Sequence, residues 1–260
     1  MYKLYLIPVM TSRFLIFTSV LAIVCFVSAC GGGEADVTQT EYEATETPES
    51  TLNTLTDSEI ADGWVSLFDG TNMDAWRGYK VETMPEGWVI ENDAMVMNSP
   101  DHGGDLVTRD TYTNFELKLE WLVPQGGNSG IMFHVTEDHG APWATGPEMQ
   151  ILDNEAFEGG SMGKNSSGSN YDVHAPMVDV SKPAGEWNSI RLIVNGPHVE
   201  HWMNGQKVVE YELWTDEWRE VVNGSKWKDH PDYGMRESGH IAVQGDHSPV
   251  AFRNLKIKTL

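Results

Sequence analysis

Glu148-Met149-Gln150-Ile151-Leu152-Asp153 puts two carboxyl groups and an amide in one short stretch, with His134 upstream and His247 far downstream. Carboxylates and imidazoles are the side chains that exchange protons near neutral pH, and they also ligate divalent ions. If the stretch is a strand, alternation sets Glu148 and Gln150 on one face and Met149 and Ile151 on the other, so the polar pair lines a pocket. Asp153 then points away from Glu148 unless a bulge, a device common beside active sites, inserts a residue. Glu148 is the first candidate for a base or a metal ligand; the competing reading is a strand glutamate facing solvent. His134 alternates with Ile131, Phe133 and Val135, and faces the side of Glu148 if those three enter the core. It is a candidate proton donor or metal ligand, or else a hydrogen-bonded structural histidine. His247 closes Gln244-Gly245-Asp246-His247, a loop between two strands, where it lines a pocket or caps a turn. Glu148, Asp153, His134 and His247 would make a mixed oxygen and nitrogen site for a divalent ion, but they form no compact ligand motif, so a metal requirement stays open.

These residues need a scaffold, and the pattern around them is one of short strands. Phe115, Leu117, Leu119, Trp121 and Val123 alternate with Glu116, Lys118 and Glu120, which reads as a strand with one face in the core. From Trp187 to Tyr211 three alternating runs are separated by Asn195-Gly196 and Asn204-Gly205, dipeptides suited to tight hairpin turns, so this region reads as an antiparallel meander. Further strands are expected at 64–68, 88–90, 94–97, 129–135, 148–152, 239–244 and 250–258. One short helix is expected after Thr215 as its N-cap. An all-β, two-sheet antiparallel sandwich or jelly roll follows, its larger sheet curved around a ligand. No fixed-period repeat suggests a propeller or solenoid.

The N-terminus has a different character. Lys3 and Arg13 flank an apolar run, Phe14 to Val27, too short for a permanent span, and Val27-Ser28-Ala29-Cys30 resembles the lipobox of bacterial lipoproteins. Residues 1–29 read as a signal peptide, Cys30 as the lipidated residue, and 30–58 as a disordered acidic tether poor in large apolar side chains. Residues 59–260 read as one domain. Lipidation implies a cell-envelope lipoprotein, at the outer membrane or facing the periplasm, that meets membrane only through its anchor; Gly31 after Cys30 suggests the outer membrane. Cys25, the other cysteine, falls in the signal peptide, so no disulfide holds the mature fold. Loss of Lys3 and Arg13 leaves 15 basic residues against 39 acidic ones, which argues against nucleic acid and suits a neutral or cationic ligand. No Gly-x-Gly-x-x-Gly follows a strand, which argues against a nucleotide or flavin.

Several ordered phrases carry a resemblance. They run Gly63-Trp-Val-Ser-Leu-Phe-Asp-Gly-Thr-Asn, Gly127-Asn-Ser-Gly-Ile-Met-Phe-His, Glu148-Met-Gln-Ile-Leu-Asp-Asn, Lys182-Pro-Ala-Gly-Glu-Trp-Asn, Val199-Glu-His-Trp-Met-Asn-Gly and Gly239-His-Ile-Ala-Val-Gln-Gly-Asp-His, then Phe252-Arg-Asn-Leu-Lys-Ile. From about Ala61 to Leu260 the chain resembles the 3-keto-disaccharide hydrolase domain family. The resemblance implies a concanavalin A-like jelly roll acting on 3-keto-glycosides, sugars first oxidised by a separate sugar 3-dehydrogenase. In such a sugar the ketone acidifies the C2 proton, and its removal lets the C1 oxygen leave by β-elimination before water adds. That chemistry needs a base, a donor or cation for the enolate oxygen, and an acid for the leaving oxygen. Glu148, His134 and His247 are the catalytic candidates. Gln150, Asp153, Tyr171, Lys182, Gln244 and Arg253 are candidates for binding substrate, and Trp143, in the loop Gly140-Ala-Pro-Trp-Ala-Thr-Gly, for stacking on a pyranose. Lys182 precedes a proline in an expected turn, and Arg253 has surface ion pairing as its alternative role. Two other readings stay open. Glu148 and Asp153 resemble the spacing of laminarinase- and lichenase-type glucanases, with Gln150 and Asp153 as departures from their paired acids. A noncatalytic carbohydrate-binding lipoprotein needs aromatic platforms and no base.

Overall fold

The computed structural model describes residues 52–158 and 160–260. The expected signal peptide, Cys30 and most of the expected tether lie outside the described residues. Ahead of the boundary expected at 59, Asn53 is buried, accepts a hydrogen bond from Asn254 N and donates to Asp93 O. Helix α1 (Asp57–Ala61) follows, closed by a capping box in which Thr56 and Glu59 satisfy each other's backbone N–H groups.

The strands in chain order are β1 (Trp64–Ser66), β2 (Trp76–Gly78), β3 (Trp88–Glu91), β4 (Ala94–Met97), β5 (Leu106–Thr108), β6 (Phe115–Leu122) and β7 (Asn128–Val135). They continue with β8 (Glu148–Leu152), β9 (Asn188–Asn195), β10 (His198–Met203), β11 (Gln206–Glu212), β12 (His240–Val243) and β13 (Val250–Thr259). Helix α2 (Asp216–Asn223) lies between β11 and β12, with Thr215 Oγ1 accepting from Trp218 N at 3.0 Å. The larger sheet runs β11-β10-β9-β6-β13-β4-β3, with β1 on β13; the smaller runs β2-β5-β12-β7-β8. Every pairing is antiparallel.

The sandwich follows from the alternation. Phe115, Leu117, Leu119 and Trp121 of β6 are buried against Ile131, Phe133, Met149 and Ile151 of the smaller sheet, in one hydrophobic cluster. The β9–β10–β11 meander turns at the two Asn-Gly pairs, where Asn204, Gly196 and Gly205 take positive φ angles. Two strands, β2 and β5, were not expected from the sequence. Each is only three residues long, too short to display a period.

One irregularity redirects a side chain. Val135 pairs with His240 and Met132 with Ala242, so β7 carries two residues where β12 carries one. The extra residue is a bulge. His134 sits there at φ 52°, and its ring packs edge-on against Phe115 and Phe133 in the core. Val135 is thereby turned to the opposite face, where it joins Val107, Met132 and Ala242 in a second, small cluster.

Candidate active site

The outer face of the smaller sheet, rather than the larger sheet, carries the site. Met149 and Ile151 point into the sandwich, so Glu148 and Gln150 point out of it, as alternation requires. They form the floor of a cavity of about 310 Å³ with Asn128, Gln244 and His247, under a wall of Trp143, Tyr171, Lys226, Trp227 and His230.

The position of Glu148 depends on a missing side chain. Gly130 on β7 lies beside it, and a Cβ there would stand 1.9 Å from Glu148 Oε1. Glycine thus opens the space into which the carboxyl folds. Of the two orientations of the Gln150 amide, the one with nitrogen toward Glu148 donates to Oε1 at 3.2 Å and to Ser129 O at 3.3 Å. Burial pushes the Glu148 carboxyl up to about 7, with Lys226 and His247 pulling against that rise and Asp105 and Asp246 adding to it. Asp105, beneath the loop, is raised to about 6 by burial and by Asp246, while its Oδ1 accepts from Gly245 N at 3.1 Å. His247 is raised by its hydrogen bond to Asp246, with Glu148 and Asp105 adding to the shift. A proton-holding carboxyl and a charge-prone imidazole therefore meet in one hollow.

Three residues of the wall, Lys226, Trp227 and His230, come from a segment in which the sequence alone singled out no residue. After α2 a 3₁₀ turn, Lys226–Asp229, is capped by Ser225 and presents Lys226 and Trp227 to the cavity, with His230 just beyond. The Lys226 ammonium lies 3.6 Å from the centre of the Tyr171 ring and 4.3 Å from that of Trp227. Trp227 donates through Nε1 to Tyr171 O at 3.0 Å and stacks on Tyr233 at 4.6 Å. The available signal was a cation beside an aromatic, Lys226-Trp227, followed by His230. It shows no periodicity and sits far from Glu148 along the chain.

Of the candidates named from the sequence, Glu148, Gln150, Tyr171, Gln244, His247 and Trp143 come together here. Four do not. His134 is turned away by the β7 bulge; its Nε2 is 2.8 Å from Thr113 O, and burial lowers its pKa. Asp153 lies past the end of β8, where its carboxylate accepts from Gly126 N at 2.9 Å and Glu155 N at 3.3 Å, holding the adjoining turn. Lys182 donates through Nζ to Trp187 O at 2.8 Å. Arg253 belongs to the larger sheet, paired with Glu120 at 2.6 Å and lying over Trp187. The mixed metal site from Glu148, Asp153, His134 and His247 is therefore not assembled. Among the described residues, the one group of three such side chains with ligand atoms within 4.8 Å is His198, Glu200 and Glu210 on the β10–β11 hairpin. Lys207 Nζ already bonds both of its carboxylates.

Fold and site together define a carbohydrate-active β-sandwich enzyme, and comparison with known proteins narrows the class. Residues 63–258 match the 3-keto-alpha-glucoside-1,2-lyase-like domain, and the chain belongs to that family. It is 32% identical to a Bacteroides thetaiotaomicron protein named 3-keto-disaccharide hydrolase, over 92% of this chain and 96% of that one. A Parabacteroides distasonis protein assigned as a glycosyl hydrolase has a crystal structure that superposes with a TM-score of 0.74 at 33% identity, covering 80% of this chain and 99% of that one. A second from the same organism gives 0.61 at 27% identity, covering 76% and 99%.

Proposed function

We propose that this enzyme cleaves the glycosidic bond of 3-keto-glycosides by elimination and hydration. The observation that carries the reading is a buried carboxyl poised at about 7 in a cavity that it shares with three cationic or protonatable side chains, Lys226, His230 and His247. In this scheme Glu148 removes the C2 proton, and the electron pair moves onto the C3 carbonyl oxygen as an enolate. Lys226 stabilises that oxygen, its charge strengthened by the water-poor aromatic wall. The enolate then reforms the ketone as the C1–oxygen bond breaks, and His247, held by Asp246, gives its proton to the departing oxygen. Water adds across the resulting double bond to give the free keto sugar. A base with a pKa near ambient pH is suited to taking a carbon-bound proton, because it is both ionised and basic enough.

The two-carboxylate glucanase reading is weaker. Glu148 is the sole carboxylate among the described residues lining the cavity; the neighbouring floor position is the amide of Gln150, and Asp153 is engaged at the Gly126 turn. Glycosidases of that kind need paired acids across the scissile bond. A binding-only role leaves the buried, proton-holding Glu148 without a purpose, since stacking and hydrogen bonding do not need it. The substrate requires a sugar 3-dehydrogenase upstream, and the lipobox at Cys30 would hold the enzyme in the cell envelope, at the outer membrane, where glycosides arrive.

Incubation with a 3-keto-glucoside and with its unoxidised parent, each with and without chelator, tests this. Turnover of the ketone alone, insensitive to chelator, is expected. Turnover of the parent would favour the glucanase, and binding of either sugar without turnover would favour a lectin.

A further inference from the structure

The loop that carries His247 is fixed at three points. Gln244 N donates to Gly130 O at 3.0 Å and Gln244 O accepts from Ser129 Oγ at 2.8 Å, while Ser248 Oγ accepts from Asn128 N at 2.7 Å and donates to Asn128 O at 2.9 Å. Between these posts Gly245 packs against the turn that leads into β5. A Cβ on Gly245 would stand 2.5 Å from Gly104 O and 2.7 Å from Trp88 Cζ2, and one on Gly103 2.0 Å from Gly245 O, so the contact requires both glycines.

This middle point depends on a side chain. β5 and β12 pair through Leu106 and Val243, and the bond from Gly104 N to Gly245 O, at 2.9 Å, continues that register. The reciprocal bond takes a different form: Gly104 O accepts from the Trp88 indole at 2.9 Å, and Gly245 N donates to Asp105 Oδ1 at 3.1 Å. A carboxylate thus stands in for a strand carbonyl, and without it the Gly245 N–H would lose its partner two residues before His247. Asp105 also faces charge. Asp246 and His247 act on it from the loop, Glu148 feels it from β8, and Tyr79, whose N–H donates to Asp105 O at 2.9 Å, feels it from the end of β2. Burial and Asp246 push its carboxyl up to about 6, so above that pH it joins Asp246 in holding the proton on His247.

We infer that Asp105 is the positioning residue for His247: it anchors the loop at Gly245 and sets a second carboxylate within the field of the Asp246–His247 pair. The assignment rests on the elimination proposed above for the role of His247 as proton donor, and it adds a residue outside the cavity lining to the machinery. The carboxylate has two separable duties, accepting one hydrogen bond and carrying one charge. Asparagine keeps the first and removes the second; alanine removes both.

The test uses wild type, Asp105→Asn and Asp105→Ala. Turnover of a 3-keto-glucoside is measured across pH, and the His247 ring signal, assigned with His247→Gln, is followed by NMR over the same range without substrate. Asp105→Ala should lose at least about tenfold in kcat/KM as the donor is displaced, and Asp105→Asn should recover to within about threefold of wild type at its own optimum. In Asp105→Asn the His247 titration should move to lower pH. Both limbs of the kcat/KM profile should move the same way, since the charge of Asp105 raises Glu148 and His247 alike. A purely structural carboxylate would move neither. An unmoved His247 titration, or an asparagine variant as slow as the alanine one, overturns the assignment. Should the alanine variant fail to fold, the asparagine variant and the titration decide alone. A wild type inactive on 3-keto-glycosides, with the titration displaced as expected, removes the elimination while leaving the hold of Asp105 on His247 in place.

Discussion

Replacing Glu148 with glutamine preserves the shape of the side chain and deletes its ionisation, which makes it a probe of stability as well as of catalysis. The carboxyl is held at about 7 against an ordinary 4.5, chiefly by burial. Between those values the folded protein keeps a proton that the unfolded chain has released, so this group's contribution is most favourable in acid and declines as pH rises through 7. At about 1.4 kcal/mol per pKa unit, the ionised group costs the fold about 3 kcal/mol above pH 7. Glu148→Gln removes that cost. Its carbonyl oxygen can still accept from the Gln150 amide, and it fits the space left by Gly130 as the carboxyl does. Urea denaturation at pH 5 and pH 8 should therefore find the variant more stable than wild type, by a margin that grows by about 2 kcal/mol between the two. Taking the difference between variant and wild type cancels the other carboxylates, including Asp105, which drifts in the same direction, and Asp246, which drifts in the opposite one. Turnover of a 3-keto-glycoside should drop at least about 100-fold in the same protein. A margin that is equal at both pH values, or a variant less stable than wild type at pH 8, would refute the claim that Glu148 is strained by its burial.

Gly130→Ala puts a methyl group where the Glu148 carboxylate lies, so the carboxylate must move; kcat should fall at least about tenfold, with a stability loss of about 1–3 kcal/mol from overpacking, read by steady-state kinetics and thermal melting. Lys226→Met removes a positive charge that holds Glu148 down, so the acidic limb of the kcat/KM profile should move to higher pH as well as lose height; a limb that stays in place would take Lys226 out of the field felt by the base.

The sandwich was legible because its strands declare themselves singly. β6 alternates without a break, and the β9–β11 meander advertises both its turns with Asn-Gly. The face of β8 was legible for the same reason: Glu148 and Gln150 need only a period of two to share a side. Elsewhere local pattern was not enough. A bulge adds one residue to β7 and reverses the facing of His134 and Val135, and nothing in Phe133-His134-Val135 distinguishes a bulged strand from a straight one. Arg253 and Lys182 sit in phrases that carry the resemblance, yet one is on the larger sheet and the other holds a turn, because a shared phrase can record packing as readily as chemistry. Lys226, Trp227 and His230 reach the cavity through a fold-back after α2, a long-range contact that their one local signal, a cation beside an aromatic, does not announce.

Behind Trp227 the rings continue: Tyr233, Trp218, Tyr211 and His174 follow one another with interplanar angles of 9°, 9°, 11° and 17°. Such a column resists tilting, since turning any one plate breaks its contact with the plates on either side. The plate that lines the cavity, Trp227, is thereby braced through the body of the protein before any guest arrives. Little motional freedom is left for an incoming ligand to quench, so under the proposed elimination more of its contact energy remains to steer the reacting carbon toward Glu148.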